Sequence, residues 1–215
     1  MDQQEKLEAL KSRLETLYTQ HKDTLLFHGL HHITFVSKKA RIFAESIGAD
    51  QFLVESAGLV HDLNYIVETN SEPEKGQKLR VELLSEAGYS SDEIDRIEKM
   101  ILETHTATRG VSISQEGMAL SDGDTLFKAL PITPIMFSSK YIQQNKVDVK
   151  KLARKVVSEQ QPLLEQGIYF YTDLAKEKYL KWAKVNLELW GNVEEALQDE
   201  EVQELITIAQ RNGVL

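Results

Sequence analysis

Apolar residues recur at three- and four-residue steps along almost all of this chain, and clean period-two alternation is hard to find. Side chains four apart share one face of a helix, whereas a half-buried strand needs them two apart. Only 4 Pro and 11 Gly interrupt the pattern across 215 residues. The chain is therefore expected to be all-α. No internal repeat, low-complexity tract or linker divides it, so 1–215 reads as a single-domain helical bundle.

The periodicity predicts helices over about 2–20, 29–47, 50–63, 75–87, 91–107 and 115–130, with three or four more within 136–212. The first carries a stripe of Leu7, Leu10, Leu14 and Leu17. Gly48 and Gly88 are natural stops, and Ser91 is a candidate N-cap with acids behind it. "ETNSEPEKG", "TRGVSISQEG" and "LPITP" read as loops and breaks.

Composition excludes several classes of function. The chain has no Cys, which removes a disulfide framework, a thiolate zinc site and a cysteine nucleophile. The first twenty residues are charged, with no apolar stretch of the signal-peptide type. No apolar run reaches the roughly 18–20 residues of a spanning helix. The reading is a soluble, cytoplasmic protein without a membrane partner. A net charge of −9 argues against general nucleic-acid binding. Lys146, Lys150, Lys151, Arg154 and Lys155 form one basic cluster. With Val149, Leu152, Ala153 and Val156 opposite, it reads as the solvated face of a helix.

Three of the 6 His residues end apolar stripes. Val36, Ala40, Phe43 and Ile47 lead back by four to His32, while His31 falls on another face with Phe35, Lys38 and Ile42. Leu53 and Ala57 lead to His61, with Asp62 directly after it. Ile94, Ile97 and Ile101 lead to His105. A lone histidine on such a stripe is an ordinary core or boundary residue, and His21, which follows Leu17 in the first helix, is one. His32 and His61 stand apart through their combination with acids. Burying an imidazole beside a carboxylate is costly unless something satisfies both. A divalent cation can, and two imidazoles with two carboxylates suit Mn, Fe, Co, Ni or Zn. Asp62 is one acid; "LSDGDTLFKAL" offers Asp122 and Asp124, which periodicity does not separate.

The order His32, His61-Asp62, then a late Asp in "SDGD" resembles the HD-domain metal-dependent phosphohydrolases, in particular small bacterial members. "HGLHHITFVSKKA", "GADQFLVESAGLVHD", "AGYSSDEIDRIEKMILETH" and "YFYTDLAKEKYLKWAKVNLELWG" extend the resemblance over about 20–195. It implies an HD-type bundle with the terminal helices packed on that core. It also implies one divalent transition metal held by His32, His61, Asp62 and Asp124, the second acid of D-x-D being the ligand. The implied activity is hydrolysis of a small phosphate ester or anhydride, a nucleotide among them, with Asp62 and His105 as catalytic candidates. His28, Arg109 and Asp122 are candidates for contact with the phosphorylated substrate.

Four positions depart from the family pattern. Phe35 stands where the family often has Arg, Tyr65 where it has an acid, Thr125 where it has Lys or Arg, and Phe127 where it has Asp. These departures keep a non-catalytic metal- or ligand-binding protein as an alternative. A di-iron oxygenase ranks lower, because only His105 lies between Asp62 and Asp124. The sequence is compatible with a homodimer and requires none.

Overall fold

The computed structural model describes residues 1–106 and 109–215, and within them the chain is helical with no strand. Helix α1 (Gln3–Gln20) leads into α2 (Leu30–Ile47), α3 (Gln51–Val60) and the short α4 (Asn64–Val67). A 3₁₀ turn at Pro73–Gly76 precedes α5 (Gln77–Glu86), α6 (Ser91–Glu103) and α7 (Gln115–Ala129). The remainder forms α8 (Thr133–Met136), α9 (Ser138–Asn145), α10 (Val149–Glu165), α11 (Asp173–Ala196) and α12 (Glu200–Arg211).

Local chemistry fixes the ends of these helices. Asp2 and Glu5 close a capping box on α1, and Ser90 and Glu93 close another on α6. The cap of α6 is thus Ser90, one residue before the expected Ser91. Gly48 ends α2 with φ of 72°, the left-handed conformation that glycine adopts without steric cost. Helix α6 ends at Glu103, with Thr104 as its C-cap. His105 is therefore not the last residue of the helix, as its stripe implied, but part of the segment beyond it. Residues 107 and 108, expected at the helix end and loop start, lie outside the described residues. The stripe of α1 also drifts: Leu7, Leu10, Leu14 and Tyr18 are buried, while Leu17 packs only at the core's edge. A turn of 3.6 residues carries the face from Leu14 to the residue four on.

The main core joins α1–α3, α5–α7 and the start of α11, with Leu10, Ile33, Val36, Phe43, Leu63, Leu84 and Ile97 at its centre. A smaller cluster of Leu152, Ala153 and Trp190 joins α10 to α11, with Tyr141 and Val156 packed against it. Two glycines determine how closely the central helices approach α2. A Cβ on Gly58 would lie 2.6 Å from Ser37 Cα, and one on Gly123 would lie 2.9 Å from Ala40 Cβ and 3.0 Å from Val36 O. Glycine at these two positions lets α3 and α7 rest directly on α2, which brings the end of α3 and the middle of α7 to the same helix. Elsewhere, Arg80 and Glu98 form a buried bidentate pair with both N···O distances 2.6 Å, and Arg80 Nη1 also donates to Pro73 O at 2.8 Å. Among the described residues, no helix is long and apolar enough to cross a membrane.

Candidate metal centre

Four donor-bearing side chains converge where α2, the end of α3 and the middle of α7 meet. His32 Nε2 lies 2.9 Å from Asp62 Oδ2, 3.3 Å from His61 Nε2 and 3.6 Å from Asp124 Oδ1. His61 Nε2 lies 3.3 Å from Asp62 Oδ2 and 3.9 Å from Asp124 Oδ1. Ligand atoms sharing one ion at about 2.0–2.2 Å are themselves roughly 3–4 Å apart, so these spacings fit a common cation. His32, His61 and Asp62 offer ligand atoms within 4.8 Å of one another.

The donor chemistry also fits. Asp62 Oδ2 is buried and has no aligned hydrogen-bond partner among the described residues, an expensive state for a carboxylate oxygen unless a cation compensates it. His61 Nδ1 lies 2.9 Å from Gly58 O. A proton on Nδ1 donated to that carbonyl leaves the Nε2 lone pair facing the centre. Burial disfavours charge on all three of His61, Asp62 and Asp124, and the two carboxylates repel, but attraction between the carboxylates and the neighbouring imidazoles and Lys128 outweighs both. Asp62 holds the His61 imidazole above its usual range. His61 and His32 in turn hold Asp62 well below the usual carboxylate range. Lys128, with both histidines, pulls Asp124 down to about 2. Both acids are thus anionic at neutral pH, the state that binds a cation.

An aromatic shell surrounds His32. Phe127 meets its ring edge-on at 4.6 Å between centroids, and Phe27 stacks at 6.1 Å. Phe35 packs on Phe127 at 5.7 Å. Two of the four departures, Phe35 and Phe127, are therefore apolar packing around the centre. The third, Tyr65, stacks face to face on His28 at 3.7 Å.

The remaining sequence candidates separate in space. His31 is outside the cluster, stacked on Phe137 at 5.2 Å, while His32 is 1% exposed. His105 lines the adjoining cavity, its Nε2 3.2 Å from Glu72 Oε2. His28 lines it too. The Gln144 carbonyl oxygen accepts from the backbone N–H groups of Phe27 and His28 at 2.7 and 3.2 Å. That orientation leaves the Gln144 amide nitrogen to donate to His28 Nδ1 at 2.6 Å. Burial lowers His28 to about 3, so it stays neutral.

Asp122 and Arg109 do not face the cavity. Asp122 accepts from Tyr171 N at 2.7 Å, and from Thr172 N and Thr172 Oγ1 at 2.8 and 2.7 Å. It thereby ties the start of α11 to α7. Burial raises its carboxyl to about 6 against those hydrogen bonds. Arg109 is buried, donating to Ser121 Oγ, to Thr125 Oγ1 at 2.8 Å and to Tyr169 O at 3.4 Å. The expected substrate contacts at these two residues give way to structural ones. Thr125, the fourth departure, is a partner of this buried guanidinium.

The cavity opening from the centre has a volume of about 280 Å³. Its lining includes His32, His61, Asp62 and Asp124 from the donor cluster and, from α9–α11, Tyr141, Leu152, Val156 and Trp190. Sequence reasoning missed this contribution from α9–α11. Trp190 and Tyr141 sit at ordinary helix-stripe positions, and only the packing of α9–α11 brings them to the cavity.

Residues 29–129 match the family model of the HD domain. This segment is an HD domain. The match spans α2 to α7 and includes all four converging side chains, and the HD superfamily is one of metal-dependent phosphohydrolases. Solved structures share the architecture. The Listeria innocua protein Lin1889 is 19% identical with a TM-score of 0.59, over 93% of this chain and 97% of that one. A Lactobacillus plantarum protein is 18% identical with a TM-score of 0.62, over 90% and 95%. Bacillus subtilis YpgQ, solved in complex with ADP, is 19% identical with a TM-score of 0.55, over 91% and 99%. At such identities the likeness is one of fold. No curated protein sequence matches the chain.

Proposed function

We propose that this protein is a metal-dependent hydrolase of a small phosphate ester or anhydride, with nucleotides the first class to test. One observation carries the reading: the convergence of His32, His61, Asp62 and Asp124 in the lining of a ligand-sized cavity. A divalent transition metal held by these four would lower the pKa of a bound water and polarise a phosphoryl oxygen.

The chain's own residues supply the rest. Gly58 O orients the His61 ring, and the apolar packing of Phe27 and Phe127 excludes bulk water from the His32 side. Asp62 would orient the attacking water. His105, on the cavity wall beside Glu72, would pass a proton to the departing oxygen. Tyr141, Leu152, Val156 and Trp190 offer a largely apolar surface for the organic part of the substrate. About 280 Å³ is at the lower limit of small-ligand sites. That size suits a small phosphorylated molecule. The ADP complex of the similarly folded YpgQ makes nucleotides the natural starting panel.

The test is release of inorganic phosphate or pyrophosphate from nucleotides and simple phosphate esters by protein loaded with Mn, Co or Ni. Turnover that disappears in a folded Asp62→Ala variant agrees with the proposal. Ligand binding with no turnover across the panel would transfer the protein to the non-catalytic reading.

A further inference from the structure

Among the described residues lining the cavity, the acids are Asp62, Glu72, Asp124 and Glu159, and the permanent cations are Lys128 and Lys155. A phosphorylated ligand entering such a wall needs positive charge that is not already neutralised elsewhere. Lys155 is one turn from Glu159 on α10 and bonds it at 2.7 Å. Arg109 is buried against Ser121 and Thr125 and does not line the cavity.

Lys128 is paired over the same one-turn spacing, but its acid, Asp124, is itself one of the converging donors. The lysine sits one turn after Asp124 on α7, with Nζ 2.7 Å from Asp124 Oδ2 and 3.3 Å from Thr106 Oγ1. Its backbone carbonyl accepts from Asn186 Nδ2 at 2.5 Å, which anchors the last turn of α7 to α11. The backbone of this turn is thus held while the ammonium faces the cavity, 30% exposed. Asp124 divides its oxygens: Oδ2 meets Lys128 and Oδ1 faces the two imidazoles. The ammonium therefore stands directly beside the point where the four donors converge. Two carboxylates balance a divalent ion, and Lys128 leaves the centre one positive charge in excess, which favours an anion.

From this juxtaposition we infer that Lys128 is the substrate-binding residue that grips the phosphoryl group beside the metal, sharing its ammonium between Asp124 and a phosphoryl oxygen. The inference rests on the metal-dependent reading above, but it concerns anion binding and is tested without turnover.

Inorganic phosphate is titrated calorimetrically into metal-saturated wild type, Lys128→Met and Lys128→Arg, with metal content and urea unfolding measured on each. Met keeps the aliphatic stem and Arg keeps the charge. Loss of one charge-assisted contact should weaken phosphate binding by about 10- to 100-fold in Lys128→Met. Metal content should be unchanged, and Lys128→Arg should lie between the two. Equal phosphate affinity in wild type and Lys128→Met, at equal metal content, overturns the assignment. A Lys128→Met protein that has lost its metal also overturns it, and makes Lys128 a support for Asp124. Wild type that takes metal and hydrolyses an ester but binds no phosphate overturns Lys128 alone. Lys128-dependent phosphate binding without hydrolysis of any ester overturns the hydrolase reading and leaves Lys128 in place.

Discussion

Asp122 and Asp124 are two residues apart on α7, and their surroundings differ completely. Asp122 meets three donors at the start of α11, while Asp124 faces His32, His61 and Lys128. Asp122→Ala is expected to cost about 1–3 kcal/mol of stability by leaving buried donors unpaired, with metal stoichiometry unchanged. Asp124→Ala is expected to lose the metal and keep the fold. Urea unfolding and metal analysis on both variants separate the roles. His28 gives a pH prediction. Burial depresses its folded pKa to about 3 from an ordinary 6.5. The unfolded chain therefore binds the extra proton between those values, and stability falls as pH drops through that window. Lowering pH from 7 to 5 should remove about 2 kcal/mol through this residue. In metal-free protein, the change between pH 7 and 5 should shrink by that amount in His28→Gln; an unaltered change would exclude His28 as its source. Periodicity separated His32 from His31, because one of them had to face inward. It could not separate Asp122 from Asp124, because both point into protein, each toward a different helix.

Helix α2 holds the centre together, since α3 and α7 both lie on it at glycine contacts. Gly123→Ala adds a methyl group against Ala40 Cβ and Val36 O one residue from Asp124. It should therefore destabilise by about 1–3 kcal/mol and weaken metal binding together. Gly191→Ala, with nothing within 4 Å of the added Cβ, is the control. Urea unfolding and metal titration of the two proteins check this; wild-type metal affinity in Gly123→Ala would show that the close contact does not set the ligand spacing. At this scale most helices were legible from apolar spacing, Gly48 and the polar loops. The end of α6 was not. The apolar stripe of Ile94, Ile97 and Ile101 points on to His105, but Thr104 already caps the helix. An apolar stripe shows which face is buried and carries no information on where the backbone stops.

For the molecule as a whole, the HD match covers α2–α7, while part of the cavity wall comes from α9, α10 and α11. The fold class and the inward placing of His32 and His61 beside Asp62 could be read locally from helix stripes, whereas Asp124 was preferred to Asp122 only through the family resemblance. That part of the wall could not be read so, because it depends on how distant helices pack. Because the donors come from α2, from the end of α3 and from α7, an ion that binds them should stabilise the whole domain. At 100 times its dissociation constant it contributes about 2.7 kcal/mol, roughly 5–11 °C in Tm for a chain of this length. Thermal unfolding with Mn, Ni or EDTA measures this, and overlapping curves would argue against a folded-state ion. The Arg80–Glu98 pair has a further consequence. It holds Pro73 O from within the core, while Asn64 Nδ2 donates to Ser71 O at 2.7 Å. Ser71, Glu72 and Pro73 form the cavity wall at that point. A stretch that reads as a polar surface loop is therefore bolted to the interior. Both contacts grip carbonyl oxygens, so this wall should keep its place when a ligand enters, while its own exposed amide hydrogens exchange freely.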